Sequence, residues 1–276
     1  MLNMSSVTLV TREKFIDTYG NKKLGEFYAK KYSYLFPFNA TPTLSAITGD
    51  ITGDGHFGKG IIQFISKKRK RVLMFAEDFY RIFKYKTQIR KSPSNPNVWE
   101  CIIGGNTICR FFKLIEVPFG NKTNNSFLIP YWILNGSDEI KKKYLQRLFD
   151  CEGSITFQKN KRALIKFCMF KEMGKKENLQ NFLNQLRGLL QSFDINTTNV
   201  FQNTRTNLRK DGSKSICLGF EIQGNSKNYM NILNFYKKIN FESTIKSEKL
   251  KKYLGYIIKA SDDQCPCSDT GKAQLG

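Results

Sequence analysis

Apolar positions along the chain switch between a helical and a strand period, and the switches come twice in the same order. Leu44, Ile47 and Ile51 share a helical face and run into Asp54-Gly55, and Leu145, Leu148 and Phe149 do the same before Glu152-Gly153. Behind the first acid, Phe57, Ile61, Ile62, Phe64 and Ile65, with Gly58 and Gly60 between them, predict a hairpin. Val72, Phe75, Ala76, Phe79, Ile82 and Phe83 return to helical spacing. Strands at 87–90 and 98–103 around a polar loop, 92–97, and a short helix at 107–114 complete the first unit. Behind the second acid come strands at 154–157 and 163–170 about Lys159-Asn160, then an amphipathic helix through Leu179, Phe182, Leu183, Leu186, Leu189, Leu190 and Phe193. Strands at 198–207 and 216–223 flank the Asp211-Gly212 turn, and helices follow at 229–239 and 247–258.

This is an internal repeat of about a hundred residues. Each unit reads helix, hairpin, helix, hairpin, helix, which predicts an α+β fold built as a pseudo-two-fold pair of αββαββα units over residues 44–136 and 137–258. Ahead of them, residues 1–43 form a helical extension, with one helix capped at Thr11, a Gly20-Asn21 turn and a second short helix. Phe15, Ile16, Leu24, Phe27 and Tyr28 either dock it on the body or belong to a small helix-turn-helix accessory to nucleic-acid binding. Residues 259–276 form a polar tail expected to be disordered.

A glycine just past a helix supplies its terminating turn, so Asp54 and Glu152 stand in last turns, where carbonyl oxygens carry partial negative charge. A carboxylate in that place gains when a divalent cation sits beside it. Ala46, Gly49 and Gly53 have the small-residue spacing that lets two helices touch, and side-by-side packing of the motif helices would bring the two acids together. Phosphodiester hydrolysis needs an activated water, a neutralised phosphate and a stabilised leaving oxygen, all of which carboxylate-held metals supply. His56 is the only histidine, which argues against a Ser/His/Asp triad or a His-rich zinc site.

Charge narrows the partner. The chain carries 45 basic and 23 acidic residues, a net +22, and such self-repulsion marks a polyanion, with nucleic acid first and an anionic membrane surface as the rival. No apolar run is long enough to span a bilayer, and no cationic amphipathic helix shows a free apolar face. The seven cysteines form no C-x-x-C pairs and the N-terminus has no secretory pattern, so a reducing compartment is expected, archaeal cytoplasm or an organelle. A two-stranded ribbon fits the major groove. Candidate DNA-reading side chains on or near the predicted strands are Lys59, Gln63, Lys67, Lys159, Lys161, Arg162, Lys166, Arg205, Asn207, Arg209, Lys210 and Lys214.

Residues 47–55 and 145–153 resemble the two nine-residue signatures of the LAGLIDADG homing endonucleases, and the resemblance extends over roughly residues 44–258. It implies antiparallel sheets forming a saddle on double-stranded DNA, and a single-chain monomer cutting a long asymmetric site. It also implies Mg²⁺ as cofactor, with Mn²⁺ or Ca²⁺ substituting in binding. Asp54 and Glu152 would be the catalytic, metal-holding acids, joined by the backbone carbonyls of Gly53 and Cys151. Residues 116–123 and 240–247 are similar to the stretches that carry the family's active-site lysines, here Lys122 and Lys246. Ser66 takes the water-ordering place before the middle helix of the first half, and Phe170 that of the second, so the two centres are expected to be unequal. Gln146 and Arg147 depart from the small residues of the first copy, Arg147 standing where the first has Gly49, so the second helix is expected to approach less closely. The chain's ends carry no splicing residues, which suggests a free-standing, intron-encoded enzyme. A nucleic-acid-binding protein that kept the fold, such as an intron RNA maturase or a transcription regulator, is the alternative.

Overall fold

The structure, a computed structural model, describes residues 7–158, 162–209, 212–225 and 229–262. The extension comprises β1 (Thr8–Val10), α1 (Arg12–Ile16), α2 (Lys22–Lys31) and β2 (Phe38–Asn39), with β1 paired antiparallel to β2. Thr11 caps α1, accepting from Lys14 N at 3.2 Å. Phe15 stacks on Phe111 with centroids 4.5 Å apart, so the extension is fastened to the first unit. Docking holds for Phe15 and Ile16, which are buried, but Leu24 and Phe27 stay exposed.

Pro42 follows the Thr41 cap and starts α3 (Pro42–Thr52), where its missing N–H costs nothing. Then come β3 (Gly55–Gly58), β4 (Ile61–Ser66), α4 (Arg69–Phe83), β5 (Gln88–Ser92), β6 (Asn95–Gly104) and α5 (Asn106–Leu114). A short α6 (Tyr131–Leu134) leads to α7 (Asp138–Glu152), β7 (Gly153–Gln158), β8 (Arg162–Glu172), α8 (Lys176–Gln191), β9 (Phe201–Leu208), β10 (Lys214–Gly224), α9 (Met230–Asn234) and α10 (Thr244–Asp262). The two antiparallel sheets share one strand order, β3-β4-β6-β5 and β7-β8-β10-β9. Gly55 pairs with Phe64 and Gly153 with Phe167, so the hairpins after the two acids correspond residue by residue. The fold is the α+β pair of αββαββα units expected from the repeat.

The motif helices α3 and α7 pack side by side at the centre. A Cβ on Gly49 would lie 2.7 Å from Tyr144 O and 3.1 Å from Arg147 Cβ, and one on Gly53 would collide with Cys151 Cβ. Contact this close needs glycine. The expectation that Gln146 and Arg147 hold α7 away is therefore wrong. Arg147 Cβ lies flat against Gly49 while its long stem carries the guanidinium to the flank, and Gln146 turns aside to donate to Ile239 O at 2.6 Å.

Other boundaries shift for local reasons. The expected loop at 92–97 is a tight turn, because Ser92 pairs with Asn95 and the strands run to its edge. Helix α10 continues to Asp262, past the expected start of the tail, because Leu250, Leu254 and Ile257 give it a buried stripe and each added residue adds a bond. The rest of the expected tail lies outside the described residues. Arg69, Lys70 and Arg71 form the first turn of α4, and Arg71 points inward.

Candidate functional site

Helix α7 ends in its acid, Glu152, whereas Asp54, expected in the last turn of α3, stands two residues past it because α3 already stops at Thr52 with Gly53 as its cap. In each unit a lysine returning from late in the same unit caps the helix's carbonyl end. Lys122 Nζ donates to Ile51 O at 2.8 Å, Thr52 O at 3.0 Å and to Gly53 O. Lys246 Nζ donates to Phe149 O at 3.1 Å and to Asp150 O and Gly153 O at 2.6 Å. Ile51 and Phe149 correspond in the repeat, as do Thr52 and Asp150. Both ammoniums thus neutralise the negative end of a helix. The third partner differs, Gly53 against Gly153, so the Gly53 carbonyl expected to face a metal already accepts from Lys122.

The acids form one electrostatic cluster. Burial, and next the charge of Asp54, push the Glu152 carboxyl up to about 7, while Lys122 and Lys246 pull it down. Burial holds both ammoniums below the usual lysine range, with Glu152 and Asp54 opposing this at Lys122 and Asp150 opposing it at Lys246. Asp54 is exposed and opens into a cleft of about 400 Å³, shared with Ser66, Lys67, Arg71, Asp150 and Lys246. Ser66 therefore reaches the space beside the first acid, and its hydroxyl accepts from Lys68 N at 3.2 Å. The register changes its counterpart. Counting from the paired phenylalanines Phe64 and Phe167, Ser66 corresponds to buried Met169, and Phe170 corresponds to Lys67 on the opposite face.

Behind the acids lies a buried ion network that sequence reasoning missed. Asp50 accepts from Arg71 at 2.6 Å and from Arg147 at 2.8 Å. Arg147 also binds Asp78, and Glu242 at 2.5 Å, while Arg71 binds Asp150. Burial raises Asp50 to about 7 against the pull of Arg147 and Arg71. Both guanidiniums sit at hydrogen-bonding distance of it and are themselves held more firmly charged by it, which favours its ionised form against burial. The signal was present as Asp50 inside an apolar helix and Arg147 at a small-residue position, but their partners are remote in sequence.

The candidate DNA-contacting residues divide. Lys59, Lys67, Asn207 and Lys214 are exposed. Gln63 donates to Glu100 at 2.6 Å, Arg162 bonds Gln223, and Lys166 lies 5.1 Å from the Phe201 ring, so these three are tethered on the sheet. Arg209 donates to Asn124 at 2.6 Å, tying it to the loop of Lys122. Lys159, Lys161, Lys210 and the side chain of Arg205 lie outside the described residues. Among the described residues, no cluster of three or more His, Cys, Asp or Glu could hold a metal ion, and no helix is long and apolar enough to cross a membrane.

Residues 139–257 match the model of a LAGLIDADG-like domain. A tRNA-splicing ligase RtcB of Pyrococcus furiosus is 27% identical over 78% of this chain and 22% of its own length. A glutamine–fructose-6-phosphate aminotransferase of Methanocaldococcus jannaschii is 26% identical over 83% of this chain and 21% of its own length. The chain thus spans about a fifth of these relatives. Among solved structures, I-DmoI in complex with DNA and Ca is similar at 13% identity and a TM-score of 0.46, over 76% of this chain and 97% of that one. Full-length DUF199/WhiA from Thermatoga maritima is similar at 14% identity and a TM-score of 0.44, over 78% of this chain and 60% of that one.

Proposed function

We propose that the chain is a site-specific double-strand DNA endonuclease of the LAGLIDADG homing type, a monomer with halves at 44–136 and 137–258. One observation carries the reading: two glycine-tight helices bring Asp54 and Glu152, one acid per half, into a single charge cluster with a lysine at each helix end. Burial and the neighbouring charge of Asp54 raise Glu152, and a divalent cation beside the two acids would offset both. Two carboxylates suit Mg²⁺, which keeps several waters and binds through one or two acids. Such an ion, bound there, would neutralise the phosphate and acidify a bound water.

The chain's own groups do the rest. Asp54 and Glu152 would hold the ion, with the Cys151 carbonyl and, once its bond to Lys122 is given up, the Gly53 carbonyl as further donors. Lys122 and Lys246 keep the helix ends in place and set positive charge where the leaving oxygen develops negative charge. Ser66 orders water at the first centre. Buried Met169, its counterpart, has no polar group to do so, and the two strands are accordingly cut at unequal rates. The exposed basic residues Lys59, Lys67 and Lys214 meet phosphates.

The two curated relatives share this stretch but have unrelated names, so neither ligation nor amidotransfer is carried over. A non-cutting binder, such as a transcription regulator or maturase, is the second reading. The bond from Lys122 to the Gly53 carbonyl favours it, since that carbonyl would otherwise be free for a metal.

The test is a randomised duplex library incubated with the chain and Mg²⁺, with bound and cut fractions sequenced separately. The nuclease reading expects one long asymmetric motif in both fractions. A motif in the bound fraction alone, with Mn²⁺ as well as Mg²⁺, would replace it with the binder.

A further inference from the structure

Lys122 belongs to the first unit, yet the loop that presents it is fastened largely by the second. Within its own unit, Gly120 N donates to Phe57 O at 2.6 Å. From the second unit, Lys171 Nζ donates to Lys122 O at 2.8 Å and to Asn125 O at 2.6 Å, and lies 3.8 Å from the Phe127 ring centroid. Beside it Glu172 N donates to Thr123 O at 2.9 Å. Lys171 is 1% exposed, and burial lowers its ammonium to about 8. A lysine buried at that cost, and spending its hydrogens on two carbonyls of a single loop, has a job in holding that loop.

The repeat supplies independent support. Lys171 stands four residues beyond Phe167, and Lys68 four beyond Phe64, the two residues that pair with the glycines after the acids. Lys68 Nζ also crosses units, donating at 3.3 Å to Ser243 Oγ, three residues before Lys246. The same strand end in each half therefore reaches the loop that carries the other half's capping lysine. The two versions differ in depth, since Lys171 is buried and Lys68 exposed.

We propose that Lys171 is a positioning residue for Lys122, a latch by which the second half holds the lysine of the first half's centre, with Lys68 a weaker latch on the Lys246 loop. Its catalytic consequence rests on the nuclease reading, while the latch itself does not. Losing Lys171 frees the carbonyl of Lys122 and the 122–127 loop, and lets the ammonium leave the end of α3 without touching the acids.

The test uses the full chain and two readouts. The first is acetylation of Lys122 by acetic anhydride, followed by peptide mass mapping. In Lys171→Met, Lys122 labels about tenfold faster or more, because local opening exposes it, while Lys246 is unchanged and serves as the folding control. Lys171→Arg, which keeps the donors, restores protection. Lys68→Ala, at an exposed position, raises Lys246 labelling and leaves Lys122 alone. The second readout is strand-resolved cleavage, where Lys171→Met slows one strand by about tenfold or more and leaves DNA affinity and the other strand as they were. Unchanged Lys122 labelling in folded Lys171→Met overturns the latch. Should that variant fail to fold, unchanged Lys246 labelling in Lys68→Ala overturns the crossed arrangement. A wild-type chain that cuts no duplex defeats the nuclease reading instead, and the labelling ratios still decide the latch.

Discussion

Replacing Arg147 with methionine tests the centre of the fold, because that one guanidinium touches three carboxylates. It binds Asp50 at 2.8 Å and Glu242 at 2.5 Å, and also Asp78, with its side chain 4% exposed. Each acid keeps one other partner: Asp50 has Arg71 at 2.6 Å, Asp78 has Arg81 at 3.3 Å, and Glu242 has Lys143. Breaking one buried pair costs about 3–5 kcal/mol, and the retained partners keep the total inside that range rather than at three times it. The pH dependence has a definite sign. Asp50, raised to about 7 from 3.8, binds more protons folded than unfolded between those values, so its contribution to stability falls as pH rises through that window. Without Arg147 its pKa climbs further and the fall continues past pH 7. Urea unfolding followed by circular dichroism from pH 5 to 8 should show a gap between wild type and Arg147→Met that widens with pH. A gap under about 1 kcal/mol, or one that narrows as pH rises, would refute the reasoning.

Gly49→Val should destabilise by about 1–3 kcal/mol or more, since its Cβ would meet the backbone oxygen of Tyr144 at 2.7 Å and neither helix can give way locally; thermal unfolding reads this, and an unchanged melting temperature would mean that α3 and α7 do not touch there. Chelation with EDTA should abolish cutting and leave duplex binding measurable in a gel-shift assay, whereas cutting that survives exhaustive chelation would exclude the acid-held metal. Binding should weaken steeply with salt, by about 0.9 in the logarithmic slope for each phosphate neutralised, and a flat salt response would contradict a contact made by the net +22 charge.

Much of the architecture was legible because its signals are local. Apolar period, a glycine after each acid and turn residues between strands identified the two units and their element order. The pairing of Asp54 with Glu152 was legible as soon as Gly49 and Gly53 were read as a contact face. What escaped depends on groups far apart in the chain. Arg147 reads as an obstacle to packing until Asp50, Asp78 and Glu242 converge on its head. Lys171 reads as one more surface charge on a basic strand, since nothing near it in sequence shows that a loop some fifty residues earlier will cover it. The counterpart of Ser66 was misassigned by one residue, and in a strand one residue exchanges the buried face for the open one.

The most direct measurement of the two-acid centre is strand-resolved cleavage of the selected duplex by Asp54→Asn and Glu152→Gln beside the wild-type chain, at matched occupancy in Mg²⁺. The account predicts that both variants bind as the wild type does and that each, at most, nicks. Cleavage of both strands at wild-type rates by either variant would contradict it.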